Sequence, residues 1–130
     1  MKLESLDFIY MPSADPAADL EHFEKTLGAE VVFAIEAFGT RVAMVQLTPG
    51  PPALLVAGHL HGERPVLVFR VASLDSAVAD LEAVGGHAGP EFGIPHGEVR
   101  EVEMPGGQRI AIYELTRPER AKSLAGRRDF

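Results

Sequence analysis

The 130-residue chain has no cysteine and no tryptophan, and its aromatic side chains are seven Phe and two Tyr. Without cysteine there can be no disulfide, thiolate nucleophile, zinc ribbon or iron-sulfur cluster, and the chain is expected in a reducing cytoplasm. No run approaches the roughly 18 apolar residues that span a bilayer. The opening Met1-Lys2-Leu3-Glu4 does not read as a secretory signal, so no membrane partner is expected. Basic residues are the minority, 12 against 19 acidic, for a net charge of -7. That balance speaks against a nucleic-acid partner, because a phosphate backbone rewards clustered Lys and Arg. The basic residues that do cluster (Arg117, Arg120, Lys122, Arg127 and Arg128) read as a solvated C-terminal helix and end. Also missing are a GxSxG elbow, a P-loop and a GxGxxG turn opening a helix.

What the chain does have is a repeat. The segment 8–28, FIYMPSADPAADLEHFEKTLG, lies over 66–86, VLVFRVASLDSAVADLEAVGG, without a gap. Asp15 falls on Ser73, Leu20 on Val78, Phe23 on Leu81 and Gly28 on Gly86. In both copies an apolar strand leads to a capping side chain, an amphipathic helix and a glycine stop. Such units cannot cover their own apolar faces and pack on one another.

The rest of each copy reads as three strands. In the first copy the helix starts at Asp15-Pro16, with a stripe of Ala17, Leu20, Phe23, Glu24 and Leu27. Extended segments follow at 30–38, 41–47 and 53–57, separated by Phe38-Gly39-Thr40 and by Thr48-Pro49-Gly50-Pro51-Pro52. In the second copy the strand 66–71 and the helix 74–84 lead to extended segments at 87–92, 98–103 and 109–115, with Pro105-Gly106-Gly107 as a turn. The expected architecture is α+β: a βαβββ module over 1–62, a second over 63–116, and a C-terminal helix and tail over 117–130, together one domain.

With these modules in place, the chain resembles the vicinal oxygen chelate superfamily of glyoxalases, bleomycin resistance proteins and extradiol dioxygenases. The resemblance rests on Asp15, Phe23, Leu27 and Gly28 in the first module, on the paired modules themselves, and on the closing MPGGQRIAIYE. It implies a cup-shaped, mostly antiparallel sheet with the helices outside, a small-molecule ligand in the cup and a homodimer. The superfamily's enzymes commonly hold a divalent metal with His on the first strand of each module and Glu on the fourth strands. By position those ligands fall here on Phe8, Val66, Ala111 and a residue within 53–56, all hydrocarbon, and neither a metal nor another cofactor is expected. The remaining alternative for a metal is His59 with His61, two apart on an extended segment near Glu63, in the connector between modules. His22 is expected on the exposed side of its helix, His87 at a turn, and His96 in a loop between Pro95 and Gly97 that can hold an imidazole over a binding site.

Side chains alternate across a strand, so residues sharing the parity of those ligand positions should line the cup. They are Phe8, Tyr10, Leu55, Val66, Val68, Arg70, Arg109, Ala111 and Tyr113. The opposite parity (Ile9, Leu67, Phe69, Ile110 and Ile112) should pack beneath the helices. The lining is apolar with a few polar groups, as in many small-molecule sites. Arg70 and Arg109 can receive an anionic oxygen, although Glu101, Glu103 and Glu114 are rival partners. Tyr10 and Tyr113 can stack or donate. Glu36, Glu101 and Glu103 are general bases only if desolvated.

Three functions fit. The first is metal-independent binding of a small organic molecule, as in the bleomycin-resistance branch. The second is a lyase, isomerase or dioxygenase of the same superfamily, either metal-free and using Arg70, Arg109, Tyr113 or His96, or with displaced metal ligands. In the third, residues 117–130 dock on a partner or seal a dimer.

Overall fold

The computed structural model describes residues 1–37 and 39–130. Phe38, at the expected end of the second strand, lies outside the described residues. The elements run β1 (Ser5–Pro12), α1 (Pro16–Leu27), β2 (Glu30–Ala37), β3 (Thr40–Gln46), β4 (Ala53–Ala57), β5 (Val66–Arg70), α2 (Leu74–Ala83), β6 (Ala88–Ile94), β7 (Gly97–Val102), β8 (Ile110–Tyr113) and α3 (Pro118–Leu124). The βαβββ order occurs twice, and the chain is of the α+β class. It forms two compact units, one of Phe8–Pro65 with Leu124–Phe130 and one of Val66–Ser123 with Met1–Asp7.

In the unit containing α1 the strand order is β2-β3-β4-β1, with β2/β3 and β3/β4 antiparallel and β4/β1 parallel. A parallel return needs a crossover longer than a hairpin, and α1 supplies it. The helix begins where the Asp15 carboxylate accepts the Ala18 N–H at 3.2 Å and Pro16 takes the first turn. It ends at Gly28, whose φ of 68° suits a residue without Cβ. Leu20 is fully buried against Ala34, Ala43 and Val45, with Phe23, Val31, Leu54 and Phe130 around them. The apolar stripe stops short of the last turn, for Leu27 is 57% exposed rather than packed.

The other unit has the order β6-β7-β8-β5, again two antiparallel pairings and one parallel. Ser73 caps α2 by accepting the Ser76 N–H at 3.2 Å, and Glu114 Oε1 accepts the Leu74 N–H at 2.8 Å. That second cap explains why β8 stops at Tyr113 instead of reaching residue 115: Glu114 turns to serve the helix. At the other end Gly85, not Gly86, takes the left-handed conformation, at φ 83°. Gly86 has its own constraint, since a Cβ there would lie 2.4 Å from Leu81 Cδ1. Beneath α2, Ile112 packs with Val71 and Ala77, flanked by Leu74, Val78 and Val102.

The basic C-terminal segment corrects the expectation of a solvated end. Arg117 donates to Ile94 O at 2.7 Å and pairs with Glu98 at 3.0 Å. Past α3 the chain returns to β2, where Arg128 forms a parallel bridge with Ala34.

Leu20→Ala removes the side chain that joins α1 to this sheet. It should cost about 3 kcal/mol, read as a lower urea midpoint at unchanged slope.

Candidate functional site

Tyr113 closes β8 opposite Arg70 in the parallel register of β5 and β8. The residue is 2% exposed, and its hydroxyl donates to Asp7 Oδ2 at 2.5 Å. The other carboxylate oxygen accepts from Ser5 Oγ at 2.6 Å, so Asp7 is gripped by two hydroxyls. Burial pushes the Tyr113 phenol well above its ordinary pKa, and the bond and charge of Asp7 add to this, while Arg70 opposes it. The hydroxyl is therefore a donor throughout the physiological range.

His96 stands in the β6–β7 turn, its carbonyl fixed by the N–H groups of Thr116 at 3.1 Å and Arg117 at 3.0 Å. Burial holds its imidazole below the ordinary value; the charge of Asp7 works against this and that of Arg117 with it. Arg70 keeps a half-exposed guanidinium 3.9 Å from Glu4. Of the residues singled out in the sequence, Tyr113 and His96 both feel the charge of Asp7, and Arg70 lies opposite Tyr113 in the register. Arg109 pairs instead with Glu101 at 3.3 Å. Asp7 was missed because alternation along β1 sets it with Ile9, opposite Phe8 and Tyr10.

In the other unit, Phe8 lies beside Ala53 and Tyr10 beside Leu55 in the parallel register of β1 and β4. All four are buried. Tyr10 reaches His59, with its hydroxyl 3.1 Å from Nε2, and His59 Nδ1 lies 3.4 Å from Thr40 Oγ1. His59, the first residue of the HLHGE run, thus reaches β1, while His61 and Glu63 are exposed in the connector. Burial, and then the charge of His61, hold the His59 pKa down. Glu36, a candidate base, pairs with Arg41 at 3.7 Å. His22 is exposed on α1, as expected, and lines a cleft of about 230 Å³ with Met11, Pro12, Asp19, Phe23 and Val56.

No protein-family model and no curated protein matches the chain. Solved structures do. Methylmalonyl-CoA epimerase from Mycobacterium tuberculosis superposes with a TM-score of 0.73 at 20% identity, over 94% of this chain and 97% of that one. A Streptomyces coelicolor methylmalonyl-CoA epimerase bound to 2-nitronate-propionyl-CoA gives 0.71 at 19%, over 88% and 96%. A hypothetical protein from Bacillus halodurans gives 0.72 at 14%, over 85% and 93%.

The fold is that of the vicinal oxygen chelate superfamily.

Within this fold the strand registers define the fourth ligand position that the sequence left open. Tyr10 pairs with Leu55 as Val68 pairs with Ala111, so Leu55 is the counterpart of Ala111. The four positions are then Phe8, Leu55, Val66 and Ala111, exposed by 5%, 0%, 0% and 0%. Buried hydrocarbon offers a cation no lone pair, so these residues do not fit the metal that enzymes of this fold commonly hold there. Among the described residues no group of three or more His, Asp or Glu is gathered to hold one elsewhere. Val68 is likewise fully buried; of the nine expected lining residues only Arg70 and Arg109 keep appreciable exposure.

Both depressed imidazoles favour the neutral ring in the folded chain. The unfolded chain binds more protons below about pH 6.5, so stability is fully present above that pH and falls as acid titrates the folded rings. His59→Gln should be less sensitive than the parent when urea midpoints at pH 7.5 and pH 5 are compared. An unchanged difference between the two pH values would contradict the assignment.

Proposed function

We propose that this chain is a cytoplasmic, metal-independent binding protein for a small organic molecule with an anionic or carbonyl oxygen. The observation that carries the reading is the hydrocarbon at Val66, Val68 and Ala111 together with the polar group at Asp7, Arg70, His96 and Tyr113 in the same unit. Apolar walls with a few directed polar groups suit a small ligand. Arg70 is the anchor, since a guanidinium offers two directed bonds to a carboxylate and its present partner, Glu4, is distant and half-exposed. Arg109 stands apart as a strand ion pair. The ligand acts alone, without a nucleic-acid or membrane partner, on a protein that assembles as a homodimer. Methylmalonyl-CoA, present in one superposing epimerase structure, is a natural first probe beside aromatic acids and antibiotics.

A second reading has specific support in the grip of Tyr113 and Ser5 on Asp7. In a metal-free lyase or isomerase, Arg70 holds the substrate's charge and neutral His96 accepts a proton, while Tyr113 donates to a developing oxyanion only by releasing Asp7. An activity that survived alanine at all three positions would rule it out.

The first experiment is metal analysis of protein purified without a histidine tag, followed by thermal melting with Ni, Co, Zn, Mn and Fe(II). A tight site would raise the melting temperature by mass action; the expected result is substoichiometric metal and no shift. Stoichiometric metal would overturn the metal-independent reading. With a ligand found by melting shift, Arg70→Ala should weaken calorimetric affinity about tenfold or more, whereas Glu4→Gln should leave it unchanged or tighter.

A further inference from the structure

The outer edge of β2 is occupied by the chain's own tail. β2 is the end strand of its unit's sheet, and the groups it turns away from β3 are those of Val32, Ala34 and Glu36. Val32 O accepts from Gly126 N at 2.8 Å. Ala34 N donates to Arg127 O at 2.9 Å, and Ala34 O accepts from Asp129 N at 2.6 Å. Glu36 N donates to the Asp129 carboxylate at 2.9 Å. Four successive edge groups of the strand are satisfied by three residues of the tail, Gly126, Arg127 and Asp129.

Besides these bonds, side chains at the surface hold the tail. Arg128 forks onto both oxygens of Glu24 on α1, at 3.0 and 2.5 Å. Arg127 braces Asp129 at 2.8 Å. The Arg41 guanidinium stands 5.1 Å from the Phe130 ring centre, and that ring also packs against the Leu20 cluster. Exposed ion pairs of this kind are weak singly and screened by salt.

We infer that the tail is a releasable guard, latched by Arg128 on Glu24, and that the edge it covers is a self-complementary pairing surface for the β2 strand of a second copy. The complementarity follows from the backbone. Ala34 turns both its N–H and its C=O outward, which is the hydrogen-bonded pair position of an antiparallel ladder. A two-fold axis at Ala34 lets the two copies exchange Ala34 N–H to Ala34 O in both directions. The same axis sets Glu36 N–H of each copy against Val32 O of the other. Every group the tail now satisfies is thereby satisfied again, and the contact is isologous, the same strand of each copy meeting the other. The inference concerns assembly and stands whether or not the ligand reading holds.

The test uses the full-length chain carrying Arg128→Glu, which sets like charges at the latch, and Asp129→Ala, which removes the bond to Glu36. Light scattering after size exclusion over a range of concentrations gives mass, and amide exchange of Ala34 and Glu36 reports the edge. In the parent both amides are protected and its mass is the reference. In the variant, exchange should quicken about tenfold or more at low concentration, and mass should double at high concentration with protection restored. Adding Glu36→Pro, which deletes an outward N–H at an exposed position, should return the mass to that of the parent. Fast exchange with the parent's mass at every concentration would overturn the pairing surface, and undiminished protection with unchanged mass would overturn the latch. Should the variant fold poorly, the parent in rising sodium chloride provides the second measurement: faster exchange at Ala34 and Glu36 while Phe33 stays protected supports the guard, and equal rates at low and high salt refute it.

Discussion

The parallel pairing of each module's first strand with its last is the constraint on which the rest depends. Parallel neighbours cannot be joined by a hairpin, so a helix and two further strands fill the interval, and the sheet they build is covered on its helix side. The strands that meet, β1 with β4 and β5 with β8, read as nearly unbroken apolar runs, FIYM with ALLVA and VLVF with IAIY. In enzymes of this fold those same strands commonly carry the metal donors. Here they carry Phe8, Leu55, Val66 and Ala111, so burial and ligation compete for the same positions, and burial has taken them.

Polar side chains stand instead at or beyond the ends of those strands. Tyr113 is the last residue of β8, Arg70 the last of β5, and His96 lies in a turn. A buried tyrosine hydroxyl has to find a partner, and Asp7 supplies it while being supported from behind by Ser5. Tyr10 meets the same requirement with His59, which brings a residue just beyond β4 back against β1. The two tyrosines of this chain are each completed by a residue distant in sequence.

That distance marks what the sequence could and could not reveal. The module order, the caps at Asp15 and Ser73, and the helix-facing residues such as Ile112 were legible, because each rests on spacing within one element. Arg70, His96 and Tyr113 stood out by residue type and parity. Asp7 did not, since its role arises from a contact with Tyr113 that alternation along β1 disguises. The shortening of β8 was equally hidden: Glu114 continues the strand's pattern, and its use as a cap for α2 is a tertiary fact. The tail read as a charged, solvated end because Arg127 and Arg128 have no local acidic partner except Asp129. Their other partners lie on α1 and β2.

The two end strands bear on the guard directly. An open edge invites pairing with another chain, and proteins blunt edges with proline, charge and bulges. β6, the end strand of its unit, does this in its own sequence. It contains Pro90, it has a register shift between Ala88 and Glu91, and Glu91 projects exposed. β2 has no such protection along its central stretch VVFAI: no proline, no charge and high strand propensity, its one irregularity lying at its start between Val31 and Phe33. Left bare, it would be the stickier of the two. A strand that lacks intrinsic protection requires an external cover, and the tail provides one, latched at the surface by Arg128 on Glu24 and seated by Phe130 at the margin of the Leu20 cluster. Edge protection in this chain is therefore divided between a permanent device on β6 and a conditional one on β2, and only the conditional one can be opened without rebuilding the strand.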